Sequence, residues 1–238
     1  MGTTKKSTIE EIRNRFDQDV DRFSNLETGQ QTIIDAPLTL ELTTSAALYV
    51  KPDAVTLLDI GCGAGNYTLK MLEKIPNLDC TLIDLSMPML QRANERVSAV
   101  TSGSVEIIQA DILTAELPEN HYDIVLAAAV LHHLREDSDW EKVFHKIYRS
   151  LKPGGCFWIS DLISHEPQEL NRLFEERYAV HLEQIGGAAY RQHVLDYIEA
   201  EDTPRSVSYQ LELMRTVGFR HTEVLHKNAC FAAFGGVK

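Results

Sequence analysis

The feature that most constrains this chain is a short apolar run that ends on glycine. Val55-Thr56-Leu57-Leu58-Asp59-Ile60 reads as a buried strand, and Gly61, Gly63 and Gly65 follow it at alternate positions. Glycines at such a turn allow positive φ and let a ligand approach the backbone. Residues 66–75 then read as a helix, whose first N–H groups lack helical partners and face the turn. A plain β–α turn does not call for three alternating glycines straight after a strand that carries an aspartate, so the loop points to a ligand.

The strand–helix alternation continues downstream. Residues 80–83 lead to Asp84, residues 105–109 to Asp111, and residues 122–127 and 156–160 complete five strands. Ser86 caps a helix to about Val97. Ser138 and Glu141 form a capping box for a helix with Val143, Phe144, Ile147 and Leu151 on one side, and Lys152-Pro153-Gly154-Gly155 ends it. Alternation of this kind implies an α/β fold with a parallel sheet and right-handed crossovers. The uninterrupted apolar strands suit a sheet covered on both faces.

Both flanks read differently. Upstream, Ser7 and Glu10 make a capping box for a helix to about Gln18, with Ile9, Ile12 and Phe16 on one face; a broken polar stretch then ends at Pro37, and residues 38–50 read as helical. After Asp161, helical spacing covers residues 166–185, breaks at Gly186-Gly187 and resumes over 188–199; Ser206 caps a helix ending at Gly218. Residues 219–225 and 230–234, joined by His226-Lys227-Asn228, read as a closing hairpin.

Composition narrows the function classes. The chain has 238 residues, 44% of them hydrophobic, which suits one α/β domain or one with an inserted cap. A net charge of −12 repels phosphate backbones, and Lys5-Lys6 is the only adjacent basic pair, so a nucleic-acid partner is disfavoured. Cys62, Cys80, Cys156 and Cys230 form no C-x-x-C pair, so neither a zinc ribbon nor a disulfide framework is expected, and a reducing cytoplasm fits. No run approaches the roughly 20 apolar residues of a membrane span, and the N-terminal stretch lacks the apolar core of a signal peptide.

Asp84 and Asp111 decide between ligands. Asp84 stands about 20 residues beyond the loop, where a carboxylate grips ribose hydroxyls. A dinucleotide fingerprint would share that acid, but it requires glycine or alanine where Asn66 stands, and Asp111 is no part of it, so a nicotinamide-dependent oxidoreductase is disfavoured. In open α/β sheets ligands sit beyond the carboxyl ends of the strands, so Asp59, Asp84 and Asp111 at three strand ends point to one crevice.

The segments VTLLDIGCGAGNYT, TLIDLSMPMLQRA, IIQADIL, YDIVLAAAVLHHL and LKPGG, in this order, make the chain resemble the class I S-adenosylmethionine-dependent methyltransferases over about residues 38–234. The resemblance implies a Rossmann-like, seven-stranded, mostly parallel sheet of order 3-2-1-4-5-7-6, whose antiparallel seventh strand accounts for the terminal hairpin. It implies S-adenosyl-L-methionine as cofactor. Asp59 and the loop Gly61, Cys62 and Gly63 would hold its methionine portion, and Asp84 both ribose hydroxyls. Leu85 and Met89 would pack near the adenine, Asp111 would accept from the adenine amino group, the Ile112 N–H would meet the ring, and the Ala128 backbone would lie near the amine. It also implies a methyltransferase core at 38–164 and 205–238, with a helical lid built from residues 1–37 and the insertion 165–204. Phe16, Arg22 and Phe23 on the first segment are candidates for covering the site; Tyr178, His181, Tyr190 and Arg191 on the second could reach a substrate.

The reading is therefore a methyltransferase acting on a small-molecule acceptor, with no membrane partner and with a homodimer left open. Two alternatives stand beside it: a non-catalytic cofactor-binding or regulatory protein of the same fold, and an enzyme using a modified adenosylmethionine, as in wobble-uridine tRNA modification. His132 and His133 follow strand four near where the methyl group would lie and have a suitable intrinsic pKa for a general base. Against this, the family commonly gives such histidines packing or loop roles, and adjacent residues do not readily face one site. No metal is expected, because the nine histidines show no ligand spacing and no carboxylate cluster is evident.

Overall fold

The computed structural model describes residues 6–238, without the side chains of Leu26 and Glu27; Lys5 and the four residues before it lie outside the described residues. Seven strands form one sheet: β1 (Thr56–Ile60), β2 (Asp79–Asp84), β3 (Val105–Gln109), β4 (Tyr122–Ala128), β5 (Leu151–Leu162), β6 (His221–Asn228) and β7 (Phe231–Val237). Their order is β3-β2-β1-β4-β5-β7-β6, as the resemblance implies. Strands β1 to β5 are parallel, and β7 runs antiparallel between β5 and β6. The register pairs Ile60 with Ile83 on one side and Ala127 on the other, and Asp84 with Gln109, so the carboxyl ends of β1, β2, β3 and β4 finish level.

Alternate residues of the strands feed two cores. Leu58, Val125, Phe157 and Phe234 face α7 (Asp137–Ser150) and α9 (Val207–Val217), meeting Trp140, Phe144 and Met214. Leu57, Ile124, Leu126 and Trp158 face the other way, toward Leu40 and Ala47 of α4 (Ala36–Val50), Met71 of α5 (Asn66–Lys74) and Leu90 and Ala93 of α6 (Met87–Ser98). Both faces being covered accounts for strands that read as unbroken apolar runs. A third cluster holds α8 (Gln168–Glu201) to the core, with Tyr178, Leu182 and Val194 packed against Leu162 and Phe231.

Local boundaries depart from the sequence expectations for identifiable reasons. The capping box of α1 (Ile9–Gln18) is Thr8 with Glu11, because the Ser7 N–H is taken by the Ala200 carbonyl at 2.9 Å. That of α7 is Glu136 with Asp139, not Ser138 with Glu141. The polar stretch before Pro37 contains two short helices, α2 (Val20–Ser24) and α3 (Leu26–Gly29), and Pro37 opens α4, where its missing N–H costs nothing. Lys152-Pro153-Gly154-Gly155 does not precede β5 but lies inside it, absorbed where the register with β4 shifts between Tyr122 and Ile124. The hairpin turns at Ala229-Cys230, with Ala229 at φ 49°, while His226 and Asn228 pair with Ala233 and Phe231. The break expected at Gly186-Gly187 is present: Gly187, at φ 78° and ψ −179°, splits α8 into two helical pieces.

One carboxylate clasps the far edge of this arrangement. Asp123 Oδ2 accepts from the Val55 N–H (3.0 Å), the Thr56 N–H (3.1 Å), the Thr56 hydroxyl (2.9 Å) and Lys152 Nζ (2.8 Å), joining the starts of β1, β4 and β5. Burial alone would raise its pKa, but the lysine and the three donors from Val55 and Thr56 outweigh burial and hold it at about 2, against an ordinary 3.8. A folded-state pKa below the unfolded one gives stability that is full above the unfolded value and fades as pH falls through the folded value. Asp123→Asn is therefore expected to cost roughly 2 kcal/mol at neutral pH, with the gap to the native chain closing as pH approaches about 2. Urea unfolding across that range checks it; a gap independent of pH would refute the assignment.

Candidate functional site

The three glycines serve different purposes. All have positive φ: 64° at Gly61, 51° at Gly63 and 84° at Gly65. A Cβ on Gly61 would lie 2.5 Å from Val130 Cγ2, so this glycine lets the loop pass the segment after β4. At Gly63 a Cβ would meet nothing within 4 Å; the backbone there borders open space of the kind a ligand needs. Gly65 caps α5 and packs on Ala93 and Val97 of α6. Asn66, which breaks the dinucleotide pattern, donates through its amide to the Phe23 carbonyl (2.9 Å) and accepts from Arg96 (2.9 Å), tying the loop to α2.

Acids stand at the expected strand ends. Asp84 Oδ2 accepts from the Gly63 N–H at 2.8 Å and Oδ1 from the Ser86 N–H at 2.9 Å, leaving each oxygen a further lone pair. Burial raises its pKa, opposed by the backbone donors of Ser86, Gly63 and Leu85. Asp59 is fully enclosed; burial pushes it up to about 7 although the Thr68 hydroxyl donates to it at 2.6 Å. Asp111 Oδ1 accepts from the Leu113 N–H at 2.8 Å, and Lys146 pins the neighbouring carbonyls of Ile112, Leu113 and Ala115.

Asp59, Gly61, Cys62, Gly63, Asp84, Leu85, Met89 and Ala128 line one cleft of about 890 Å³. Asp111 and Ile112 line an adjoining cavity of about 860 Å³, which shares Gly61, Asp84 and Leu85 with the first. Two carboxylates with unused acceptor positions, apolar walls from Leu85, Met89, Ile112 and Val130, and the open backbone at Gly63 suit a ligand with vicinal hydroxyls, a flat base and an extended cationic tail. The donor set therefore fits S-adenosyl-L-methionine.

Phe16 and Phe23 line that cleft opposite the strand ends, 5.7 Å apart between ring centroids, under the guanidinium groups of Arg15 and Arg22. Behind them lies a second compartment of about 690 Å³, sharing Phe16, Phe23, Ala129, His133 and Ser160 with the cleft and extending to Tyr178, Tyr197 and Phe231. Of the candidates on the insertion only Tyr178 lines it; Arg191 pairs with Glu183 instead. Both His132 and His133 line this compartment, because a 3-10 turn at Leu131–His133 brings their rings within 4.3 Å of each other.

Each histidine meets a carboxylate. His132 Nδ1 lies 2.5 Å from Asp161 Oδ1, and His133 Nδ1 lies 3.2 Å from Asp202 Oδ1. Burial would lower the His132 pKa, but the charges of Asp161 and Asp202 outweigh it and raise it to about 9. His133 is lowered by burial and by its neighbour His132. Asp161 could have been found by extending the strand-end rule to β5, since it follows Ser160 in the apolar run. Asp202 carries no local signal: it sits where α8 ends, 70 residues beyond His132 in the numbering.

A sheet of this order, with a glycine loop after β1 and acids at the ends of β1, β2 and β3, defines the class I adenosylmethionine-binding methyltransferase fold. A methyltransferase-domain family model matches residues 57–155. The chain is 27% identical to a carboxy-S-adenosyl-L-methionine synthase of Nautilia profundicola over 76% of each chain, and 28% identical to that of Shewanella woodyi over 80% of this chain and 78% of the relative. Human N-acetylserotonin methyltransferase, solved with S-adenosylmethionine, superposes with a TM-score of 0.64 at 19% identity, over 97% of this chain but only 57% of that one. Residues 57–155 thus match a methyltransferase domain, and the whole sheet shares the fold of the class I S-adenosylmethionine-dependent methyltransferases. Among the described residues no helix is long and apolar enough to cross a membrane.

Gly61→Ala combines a positive φ with the overlap on Val130, and is expected to cost about 1–3 kcal/mol of stability. Adding Val130→Ala should recover the part due to overlap and leave the part due to φ. A double-mutant cycle by chemical denaturation checks this; strictly additive losses would show that the two side chains do not oppose each other.

Proposed function

We propose that this chain transfers the methyl group of S-adenosyl-L-methionine to a small-molecule acceptor held in the compartment lined by Phe16, His133, Tyr178 and Tyr197. The observation that carries the proposal is the wall of Ala129, Ser160 and His133 common to the cofactor cleft and this compartment. A ligand in one would touch a ligand in the other. The aromatic lining of the compartment, from Phe16, Phe23, Tyr178, Tyr197 and Phe231, suits a small organic acceptor, and the net charge of −12 disfavours a polynucleotide.

Bound S-adenosyl-L-methionine supplies an electrophilic methyl group on a sulfonium. The protein's part is alignment and exclusion of water. Asp84 would accept from both ribose hydroxyls with the lone pairs that Gly63 and Ser86 leave free. Asp111 would accept from the adenine amino group, the Ile112 N–H would meet the ring, and Leu85 and Met89 would pack near it. Asp59, the loop Gly61, Cys62 and Gly63, and the Ala128 backbone would hold the methionine portion. Residues 6–37 and α8 form the cover, locked by the Arg15–Glu201 pair and by Asn66 on the Phe23 carbonyl. His132 and His133 are the polar end of the acceptor compartment and the candidates for contact with the reacting atom. Four buried cysteines, all free, fit a reducing compartment such as the cytoplasm.

A second reading is a synthase that forms a carboxy-substituted adenosylmethionine. The named relatives favour it. Mass spectrometry of the cofactor after incubation with acceptor panels separates the two: S-adenosylhomocysteine is expected for methyl transfer, a heavier sulfonium for the synthase. Binding without turnover in either assay would support a regulatory protein of the same fold. Asp84→Ala is expected to weaken S-adenosylhomocysteine binding about 100-fold, the loss of two charge-assisted hydrogen bonds. Unchanged affinity by calorimetry would overturn the ribose assignment, and no binding by the native chain would overturn the function.

A further inference from the structure

The polar end of the acceptor compartment holds more ionisable groups than its own hydrogen bonds satisfy. Among the described residues, both ring nitrogens of His133 and Oδ1 of Asp202 are buried with no hydrogen-bond partner. The 3.2 Å approach of His133 Nδ1 to Asp202 Oδ1 is close in distance but lacks hydrogen-bond alignment. Such groups cost free energy unless something between them satisfies them.

We propose that His132 Nε2, His133 Nδ1 and an Asp202 carboxylate oxygen form a site for one divalent transition-metal ion, zinc in class. His132 Nε2 lies 3.7 Å and His133 Nδ1 3.2 Å from the same Asp202 oxygen, and the three donor atoms fall within 4.8 Å of one another. Metal–ligand bonds of about 2.0–2.2 Å at tetrahedral angles put ligand atoms roughly 3.3–3.6 Å apart, so little movement is needed.

The surroundings are those of a metal-bound imidazole. Asp161 holds His132 through Nδ1 at 2.5 Å, which turns Nε2 toward Asp202. Asp161 is itself fixed by the N–H groups of Leu131 (2.8 Å) and Leu162 (2.7 Å). A carboxylate behind a histidine ligand fixes its tautomer and raises its basicity. Thr203 N–H donates to the His132 carbonyl at 2.7 Å, clamping the end of α8 beside the turn. Charge points the same way: two buried carboxylates face the pair, Arg15 in the same compartment is committed to Glu201, and Lys6 donates to the Asp202 backbone carbonyl. A divalent ion bound to neutral imidazoles balances Asp161 and Asp202. Two imidazoles and one carboxylate suit zinc, iron or cobalt rather than magnesium or calcium.

Three protein ligands leave a coordination position free, and all three line the acceptor compartment. The ion would there hold an acceptor oxygen as its anion, which makes a hydroxyl- or enol-bearing small molecule the substrate class. That role rests on the proposed methyl transfer; metal binding does not.

The test is calorimetric titration of the metal-stripped full-length chain with Zn²⁺, alongside Co²⁺ followed by visible absorption. One ion per chain, a rise in Tm with Zn²⁺, and no response to Mg²⁺ are expected. His133→Gln and Asp202→Asn should each abolish Zn²⁺ binding, and Asp161→Asn should weaken it about 10–100-fold. Asp202→Asn and Asp161→Asn, whose side chains do not line the cofactor cleft, should leave S-adenosylhomocysteine binding intact. No zinc binding and no Tm rise in the native chain would overturn the site, as would zinc binding that survives the double variant His133→Gln/Asp202→Asn. Magnesium bound as tightly as zinc would overturn the assigned class. S-adenosylhomocysteine titrated into the metal-free chain reports separately on the function, so either reading can fail alone.

Discussion

The hydrogen bond from the Gly63 N–H to Asp84 Oδ2 joins two strand ends that the chain separates by 21 residues, and the cofactor region is organised around it. It forms only because β1 and β2 finish level, with Ile60 beside Ile83. That register in turn follows from two covered faces, since a shift by one residue would exchange Leu57 and Leu58 between the two cores. The loop's positive φ values, the raised pKa of Asp84 and the open backbone at Gly63 are consequences of holding an acid against a glycine turn beneath a buried sheet edge.

The second compartment depends on a longer-range meeting. Phe16 and Phe23 come from before the sheet, His132 and His133 from after β4, and Tyr178, Tyr197 and Asp202 from the insertion. Among the bonds that hold these parts together are Ser7 N–H to Ala200, Arg15 to Glu201, and Asn66 to Phe23. The first two lie beyond the carboxyl ends of the strands, and the third anchors the cover to the glycine loop itself. Asn66 supplies the anchor to the glycine loop through its bond to the Phe23 carbonyl, where a dinucleotide fold would use glycine or alanine to pack helix on strand.

Legibility in the sequence follows the range of the interactions. The five parallel strands were readable because a doubly covered strand is apolar throughout, and the glycine loop and Asp84 because their chemistry is local to a strand end. The strand order came with the family resemblance, not with periodicity. Capping boxes were misplaced by one or two residues at both α1 and α7, where several Ser, Thr, Glu and Asp residues compete and tertiary bonds such as Ser7 to Ala200 decide. The hairpin turn moved to Ala229-Cys230 because a non-glycine residue accepted positive φ there, which composition does not announce. The pairing of Asp202 with His133 had no local signal at all, since it depends on where a helix of 34 residues, broken at Gly187, finally ends.

Asp161 shows how stability and chemistry compete at one residue. Its two oxygens serve the Leu131 and Leu162 N–H groups and the His132 ring, so it shapes the 3-10 turn as well as the charge beside it. A buried ion pair seldom gains much over a well-packed apolar pair of the same volume, because desolvation offsets most of the attraction. The turn alone would need only one acceptor, which a neutral amide could provide. Two carboxylates and two imidazoles enclosed at the wall of a cofactor cleft exceed what the turn requires. The surplus acids stand next to the shared wall of the two compartments. Their burial is tolerated because the sheet beneath them, with its two covered faces, supplies the stability they do not.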